Sequence, residues 1–227
     1  MAPLIIAIDG PSASGKSTLG RLLARALNLL YVDTGSMYRA VALAVIEQGL
    51  DPSDNDRVTK LAENLEIDLE GDPDSLKVLL AGRDVSDLIR TEQVTEVSSV
   101  VSTIPGVRRA MVARQRQIAR RGSVMNGRDI GTVVFPNADI KFFLTADAEE
   151  RARRRFDEWR DIDGTVDYQE ILVDLIERDR RDSTRADSPL KCAEDAIVIE
   201  STGKSIEDVL KEMMKEVSKL QTRSSNV

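Results

Sequence analysis

A glycine-rich segment near the start of the chain carries the residues best suited to chemistry. Residues 10–17 read Gly-Pro-Ser-Ala-Ser-Gly-Lys-Ser, which matches the pattern G-x-x-x-x-G-K-[ST]. In that pattern, loop amides and a helix N-terminus point donors at an anion. Lys16 can then reach the β- and γ-phosphates, and the Ser17 hydroxyl can ligate Mg²⁺. The segment predicts a nucleoside triphosphate site, with ATP as the expected nucleotide. The predicted binding residues are Gly10, Pro11, Ser12, Ala13, Ser14, Gly15, Lys16, Ser17 and Thr18.

The arginines of the chain are unevenly distributed. Sixteen of the 23 fall in two blocks, seven between positions 108 and 128 and nine between 151 and 185. A guanidinium captures phosphate oxygens in a bidentate manner, so the blocks suggest phosphate ligands. Helix faces laced with Glu and Asp would give the same clustering, so this pattern alone does not identify the ligand.

Composition excludes several classes of function. The net charge is −7 and the pI is about 4.9, which disfavours a general polynucleotide binder. The chain has no histidine, so Ser-His-Asp catalysis and histidine metal sites are excluded. One cysteine, Cys192, excludes an internal disulfide and fits a reducing compartment. No apolar run approaches the roughly 18 residues of a membrane span, and we expect a cytoplasmic protein.

Short apolar strands alternate with amphipathic helices and would position these residues. Strands are predicted at about 4–8, 29–32, 124–127, 140–145 and 196–199. Helices are predicted from about Lys16, at about 37–49, 91–102, 105–121, 147–158 and 168–181, and from Ser205 on. The alternation implies one α/β domain over 1–227, a P-loop three-layer fold with a five-stranded, mostly parallel sheet and helices on both faces. Ligands of such sheets bind at the carboxyl ends of the strands.

A different pattern of apolar residues interrupts this alternation of strands and helices at about 64–90. Leu65, Ile67 and Leu69 alternate with acids, a Gly-Asp-Pro-Asp turn follows, and alternation resumes after it. This pattern predicts a hairpin, and hence a small antiparallel insertion.

Four motifs together resemble bacterial-type cytidylate kinases. Besides residues 10–18, they are Asp-Thr-Gly-Ser-Met-Tyr-Arg at 33–39, Gly-Arg-Asp-Ile-Gly-Thr-Val-Val-Phe-Pro at 127–136, and Arg-Asp-Arg-Arg-Asp-Ser-Thr-Arg at 178–185. The resemblance covers about 4–220. It implies phosphoryl transfer from ATP, with Mg²⁺, to CMP or dCMP. It also implies that the insertion at about 64–90 binds the monophosphate, and that about 151–167 forms a helical lid.

The resemblance also implies roles for individual residues. Lys16, Arg128 and Arg178 would be catalytic, Ser17 would ligate the metal, and Arg154 of the lid would contact ATP. The residues that would bind the acceptor are Asp33, Thr34, Arg39, Ser99, Arg108, Arg128, Asp129, Arg178, Asp182 and Arg185. Among them, Ser99, Arg108 and Asp129 would read the pyrimidine, and Asp182 would hold the sugar.

Simpler interpretations of these residues stay open at the level of sequence. Asp33 or Thr34 could simply cap the following helix. Arg128 and Asp129 could form an ion pair with each other. Arg178 and Arg185 are seven apart, so they would share one helix face if the helix continues through both.

Three alternative functions follow from the same residues. The chain could phosphorylate another small acceptor, such as UMP or dephospho-coenzyme A. It could be a regulatory P-loop switch that hydrolyses a nucleotide while docking a protein partner. A nucleic-acid-binding module conflicts with the pI and with only eight aromatic residues. We expect a monomer acting on CMP, dCMP and ATP, with no nucleic acid polymer and no membrane as partner.

Overall fold

The computed structural model describes residues 3–160 and 166–224 of the 227-residue chain. Part of the predicted lid, residues 161–165, therefore lies outside the described residues. The chain divides into two compact units. The first unit comprises residues 1–4 and 24–125, and the second comprises residues 5–23 and 126–227.

The main sheet has five strands in the order β2-β6-β1-β7-β8, which confirms the predicted fold class. Its strands are β1 (Ile5–Asp9), β2 (Leu30–Asp33), β6 (Ser123–Asn126), β7 (Ile140–Thr145) and β8 (Ile197–Glu200). Within the second unit, β1 pairs with β7 in parallel, and β7 pairs with β8 in parallel. The cores of β1 and β7 are apolar and almost continuously buried, as expected for parallel strands covered on both faces.

Helices follow the strands as the apolar periodicity predicts. They are α1 (Lys16–Leu27), α2 (Thr34–Glu47), α3 (Asn55–Asn64), α4 (Glu92–Val101), α5 (Pro105–Ile118), α6 (Ala148–Arg160), α7 (Tyr168–Thr184) and α8 (Ile206–Ser224). Ser205 caps α8, since its hydroxyl accepts a hydrogen bond from the Asp208 amide at 3.1 Å. Among residues 3–160 and 166–224, no helix is both long enough and apolar enough to cross a membrane.

The insertion in the first unit is a three-stranded antiparallel sheet in the order β3-β4-β5. Strands β3 (Ile67–Glu70) and β4 (Lys77–Leu80) form the predicted hairpin, with buried and exposed residues alternating along β3. The third strand, β5 (Arg83–Asp84), was not predicted. The turn before it uses Ala81 and Gly82, both with positive φ, so it lacks the Asn-Gly or Asp-Gly signal of such turns.

Close packing at Gly106 joins two helices of the first unit. Gly106 lies in the first turn of α5, where an added Cβ would come within 2.2 Å of the Thr59 Oγ1 of α3. Pro105 occupies the first helical position, where the missing amide hydrogen costs nothing. Only glycine therefore lets the start of α5 approach α3 this closely.

Candidate functional site

The phosphate-binding loop lies between β1 and α1 in the second unit. Gly10 has φ of +148°, and a Cβ there would lie 2.0 Å from the Leu144 carbonyl oxygen of β7, so no other residue fits. Ala13 adopts a left-handed conformation with φ of +57°. The loop amides and the start of α1 thus follow directly from a strand end, as the sequence predicts.

Lys16 is buried in this loop, and its side chain is only 5% exposed. Its ammonium donates to the Pro11 carbonyl oxygen and, at 3.3 Å, to the Ser14 hydroxyl. Burial lowers the pKa of Lys16 well below its ordinary value, and the positive charge of Arg128 lowers it further. An anion at the loop would relieve this penalty, because it would favour the charged ammonium.

Ser17 follows Lys16 in the first turn of α1. Its hydroxyl oxygen accepts a hydrogen bond from the Asn126 amide at 3.3 Å. Asn126 ends strand β6 and is 3% exposed. Sequence reasoning did not select Asn126, although a buried amide at a strand end was a usable signal. Among the described residues, no group of three Asp, Glu, Cys or His side chains could hold a metal ion.

Asp9 ends β1 and was also missed from sequence. Its two carboxylate oxygens accept hydrogen bonds from the Ile130 amide at 2.8 Å and the Gly131 amide at 2.7 Å. Burial raises the pKa of Asp9 to about 6, and the neighbouring Asp129 adds to the rise, although the two amide bonds and the Lys16 charge oppose it. The carboxylate therefore ties β1 to the segment that follows Asp129.

Four predicted acceptor-binding residues meet around this segment in the second unit. Asp182 accepts hydrogen bonds from Arg128 at 2.8 Å and from Arg185 at 3.4 Å, and Arg185 lies 4.0 Å from Asp129. Arg128 and Asp129 thus pair with other residues rather than with each other. Burial would raise the pKa of Asp182, but the charges of Arg128, Arg178 and Arg185 outweigh burial and hold it below the ordinary range.

The position of Arg185 differs from the single-helix arrangement considered above. Helix α7 ends at Thr184, and Arg185 follows it in extended geometry with φ of −60° and ψ of +144°. The backbone leaves the helical path at Arg185, and the Arg185 guanidinium donates to the Ser188 carbonyl oxygen at 2.7 Å. Arg178 and Arg185 therefore do not share a helix face, although the charge of each acts on Asp182.

Arg151 and Arg154 of α6 have specific protein partners. Arg154, the residue predicted to contact ATP, donates to Glu150 at 3.0 Å and to the Ser201 hydroxyl and carbonyl at 3.1 and 2.7 Å. Arg151 instead contacts the phosphate-binding loop, where it donates to the Ser12 carbonyl oxygen at 3.2 Å. Sequence reasoning could not distinguish these two arginines, because the difference depends on contacts with distant segments.

In the first unit, Asp33 and Arg39 lie together at the start of α2. Asp33 caps the helix by accepting from the Gly35 amide at 3.0 Å, and Arg39 lies 3.4 Å from its second oxygen. The predicted capping role is therefore confirmed. Thr34, the first residue of α2, is buried at 4% exposure.

Arg108, on α5 of the same unit, is 2% exposed. Its guanidinium donates to the Ser102 carbonyl oxygen at 3.1 Å and lies 5.4 Å from the centre of the Tyr38 ring. That distance is within the range of a cation–π contact. The Ser99 hydroxyl donates to the Thr95 carbonyl on its own helix, α4, at 3.2 Å. Tyr38 is a further residue of this region that sequence reasoning did not select.

The strand, glycine loop and helix, with Lys16 and Ser17 in place, define a P-loop nucleotide-binding protein. A gluconokinase from Sinorhizobium meliloti has a similar fold, with a TM-score of 0.53 and 12% identity over 98% of this chain and 96% of that chain.

Comparison with protein families makes the assignment specific. The family model described as cytidylate kinase matches residues 6–219, and the chain belongs to that family. The cytidylate kinase of Carboxydothermus hydrogenoformans is 46% identical over 92% of this chain and 95% of its own length. That of Corynebacterium efficiens is 49% identical over 91% of each chain.

Proposed function

We propose that this protein transfers the γ-phosphoryl group of ATP to CMP or dCMP. The observation that carries the proposal is the buried Lys16 in a complete phosphate-binding loop, in a chain of the cytidylate kinase family. The products are ADP and CDP or dCDP. The reaction would belong to pyrimidine nucleotide metabolism in the cytoplasm, with the protein acting as a monomer.

The chemistry needs no imidazole, which fits a chain without histidine. The attacking atom is an oxygen of the acceptor phosphate, which is already ionised at pH 7. A bond forms between that oxygen and the γ-phosphorus, while the bond from the γ-phosphorus to the β–γ bridging oxygen breaks. Catalysis then requires alignment of the two phosphates and stabilisation of negative charge.

The chain's own cations meet this requirement in the second unit. Lys16, Arg128 and Arg178 act on one another electrostatically, because the charges of both arginines lower the pKa of Lys16. The carboxylates of Asp9 and Asp182 offset part of this repulsion, since both raise the pKa of Lys16. Bound phosphates would offset more of it, so this cluster favours an anionic substrate.

The residues present fit a magnesium ion held largely by its substrate. Mg²⁺ commonly keeps several waters and takes only one or two protein ligands besides phosphate oxygens. Ser17 would hold it through its hydroxyl oxygen, which Asn126 orients by donating a hydrogen bond. When bound, the ion neutralises charge on the phosphates of ATP.

Discrimination of the base is assigned to Ser99, Arg108 and Asp129. A carboxylate accepts hydrogen bonds only, so Asp129 suits the amino group that cytosine has and uracil lacks. Arg39 would contact the acceptor phosphate, and Asp182 and Arg185 the acceptor's sugar and phosphate. Asp33 and Thr34 complete the assigned acceptor residues. Arg154 is assigned to ATP.

The test measures diphosphate formation with Mg-ATP and, separately, CMP, dCMP, UMP, AMP and GMP. We expect strong turnover with CMP and dCMP and weak turnover with UMP. An Asp129→Asn variant should lose more activity with CMP than with UMP. ATP hydrolysis that is indifferent to every acceptor would contradict the kinase assignment and would favour the P-loop switch.

A further inference from the structure

Both main-chain groups of Ser12, in the phosphate-binding loop, are bonded to one ion pair. The Ser12 amide donates to Asp179 at 3.3 Å, and its carbonyl oxygen accepts from Arg151 at 3.2 Å. Arg151 and Asp179 are themselves 2.5 Å apart. Arg151 comes from α6 and Asp179 from α7, so side chains of two helices hold one residue of the loop through the two peptide groups that flank its Cα.

This ion pair is shielded from solvent. The side chains of Arg151 and Asp179 are 7% and 20% exposed. Arg151 also donates through Nε to the Ala146 carbonyl oxygen at 2.9 Å, so its guanidinium is fixed at both ends. Removal of either partner from a buried pair leaves the other charge uncompensated. Each side chain therefore depends on the other to hold Ser12.

The residue after Ser12 contacts the same two helices through apolar groups. Ala13 packs against a cluster formed by Ala152 of α6 with Ile171 and Leu175 of α7. Its φ of +57° is unfavourable for a residue with a Cβ and persists only where the surroundings enforce it. The ion pair at Ser12 and the apolar contact at Ala13 are two independent constraints on the loop.

We propose that Arg151 and Asp179 are positioning residues. Together they form a clamp that holds the phosphate-binding loop in the geometry that binds ATP. The inference rests on the proposed function only in taking ATP as the ligand of the loop. It assigns Arg151 to the loop backbone rather than to phosphate. It also makes α6 and α7 determinants of affinity for ATP through Ser12 and Ala13.

The experiment compares Asp179→Asn with wild type. The asparagine can still accept from the Ser12 amide, but it has no charge to pair with Arg151. The matched control is Asp174→Asn, the same change at an exposed position of the same helix. Binding of a non-hydrolysable ATP analogue is measured directly, and KM for ATP, KM for CMP and kcat are measured in turnover.

We expect Asp179→Asn to weaken analogue binding by roughly 10- to 100-fold, a typical effect of misplaced binding groups. KM for ATP should rise in parallel, while KM for CMP stays within about twofold and the control matches wild type. Arg151→Met should have a similar effect. The double variant should lose little more, because either single change already breaks the pair.

Analogue affinity within twofold of wild type in the folded Asp179→Asn protein overturns the proposal. An equal rise in both KM values also overturns it, because a general loss of structure would act on both substrates. Hydrogen exchange of wild type provides a test without any variant. The Ser12 amide should be protected without nucleotide, and exchange as fast as in an exposed loop contradicts the clamp.

These results separate the inference from the proposed function. If wild type fails to phosphorylate CMP while Asp179→Asn still weakens analogue binding, the clamp stands and the assignment of the acceptor fails. If CMP is phosphorylated and analogue binding is unchanged, the assignment stands and the clamp fails.

Discussion

The phosphate-binding loop and the predicted acceptor-binding residues of the first unit differ in how firmly they are held. In the loop, Ser12 is bonded through both main-chain groups and Lys16 through two hydrogen bonds. In the first unit, Arg39 has one 3.4 Å contact with Asp33, and its buried Nε has no hydrogen-bond partner among the described residues. The loop is therefore preorganised, whereas Arg39 retains hydrogen-bonding capacity for a ligand.

The comparison predicts that removal of the preorganised ammonium of Lys16 acts mainly on the chemical step. Lys16→Met should lower kcat by about 10³-fold or more, since it removes a preorganised cation from the phosphates. Steady-state kinetics with CMP and ATP provide the measurement, and thermal unfolding verifies that the variant is folded. A loss below tenfold in kcat would show that Lys16 does not stabilise the transferred group.

The pH dependence of stability that arises from the buried Asp9 carboxyl gives a second test of the loop region. Its pKa in the fold is about 6 against an ordinary 3.8, so the folded protein binds more protons than the unfolded chain between these values. The stability from this group is fully present below about pH 4 and is lost as the pH rises through about 6. At about 1.4 kcal/mol per unit of pKa, the loss is roughly 3 kcal/mol.

The asparagine of Asp9→Asn does not titrate. The free energy of unfolding of this variant should therefore rise relative to that of wild type by roughly 3 kcal/mol between pH 4 and pH 7. Urea unfolding at several pH values measures the difference, and Asp174→Asn, which is exposed, is the control. A difference between wild type and Asp9→Asn that stays constant with pH would contradict the raised pKa.

Substitution of Arg108 tests whether the first unit binds the acceptor. Arg108→Met keeps much of the apolar stem but loses the charge over Tyr38 and the bond to the Ser102 carbonyl. We expect kcat/KM for CMP to fall about 10- to 100-fold, through a higher KM, since a binding group for the base is lost. Affinity for the ATP analogue should be unchanged. A fall in kcat with KM unchanged would place Arg108 in the chemical step instead.

The smallest expected effect concerns packing in the first unit. Gly106→Ala introduces a Cβ within 2.2 Å of the Thr59 hydroxyl oxygen, and should destabilise the protein by about 1–2 kcal/mol. Thr59→Ala in the same chain should restore part of the loss, because it removes the two nearest atoms, Oγ1 and Cγ2, and leaves only the Cβ of residue 59 at 2.8 Å. Chemical denaturation of the four proteins measures the coupling, and additive effects would contradict direct contact.

Sequence periodicity predicted most helices and strands to within a few residues, because apolar spacing largely determines them. It missed β5, whose turn has no diagnostic residues, and it left open whether α7 would continue to Arg185. Asp9 and Asp179 were missed as functional residues for another reason. Their partners lie 28 to 167 positions away in the chain, so only the tertiary fold shows what they bind.

The parallel pairing of β1 with β7 also sets an order of events on the ribosome. Ile6 pairs with Ile140, so 134 residues separate the two positions. At about 5–20 residues per second, translation needs roughly 7 to 27 seconds to cover that distance. Throughout that interval the nascent apolar strand has no β7 to pair with, and by its end residues 24–125 of the first unit have been synthesised. The nascent chain therefore carries an apolar strand with at least one unpaired edge until late in its synthesis.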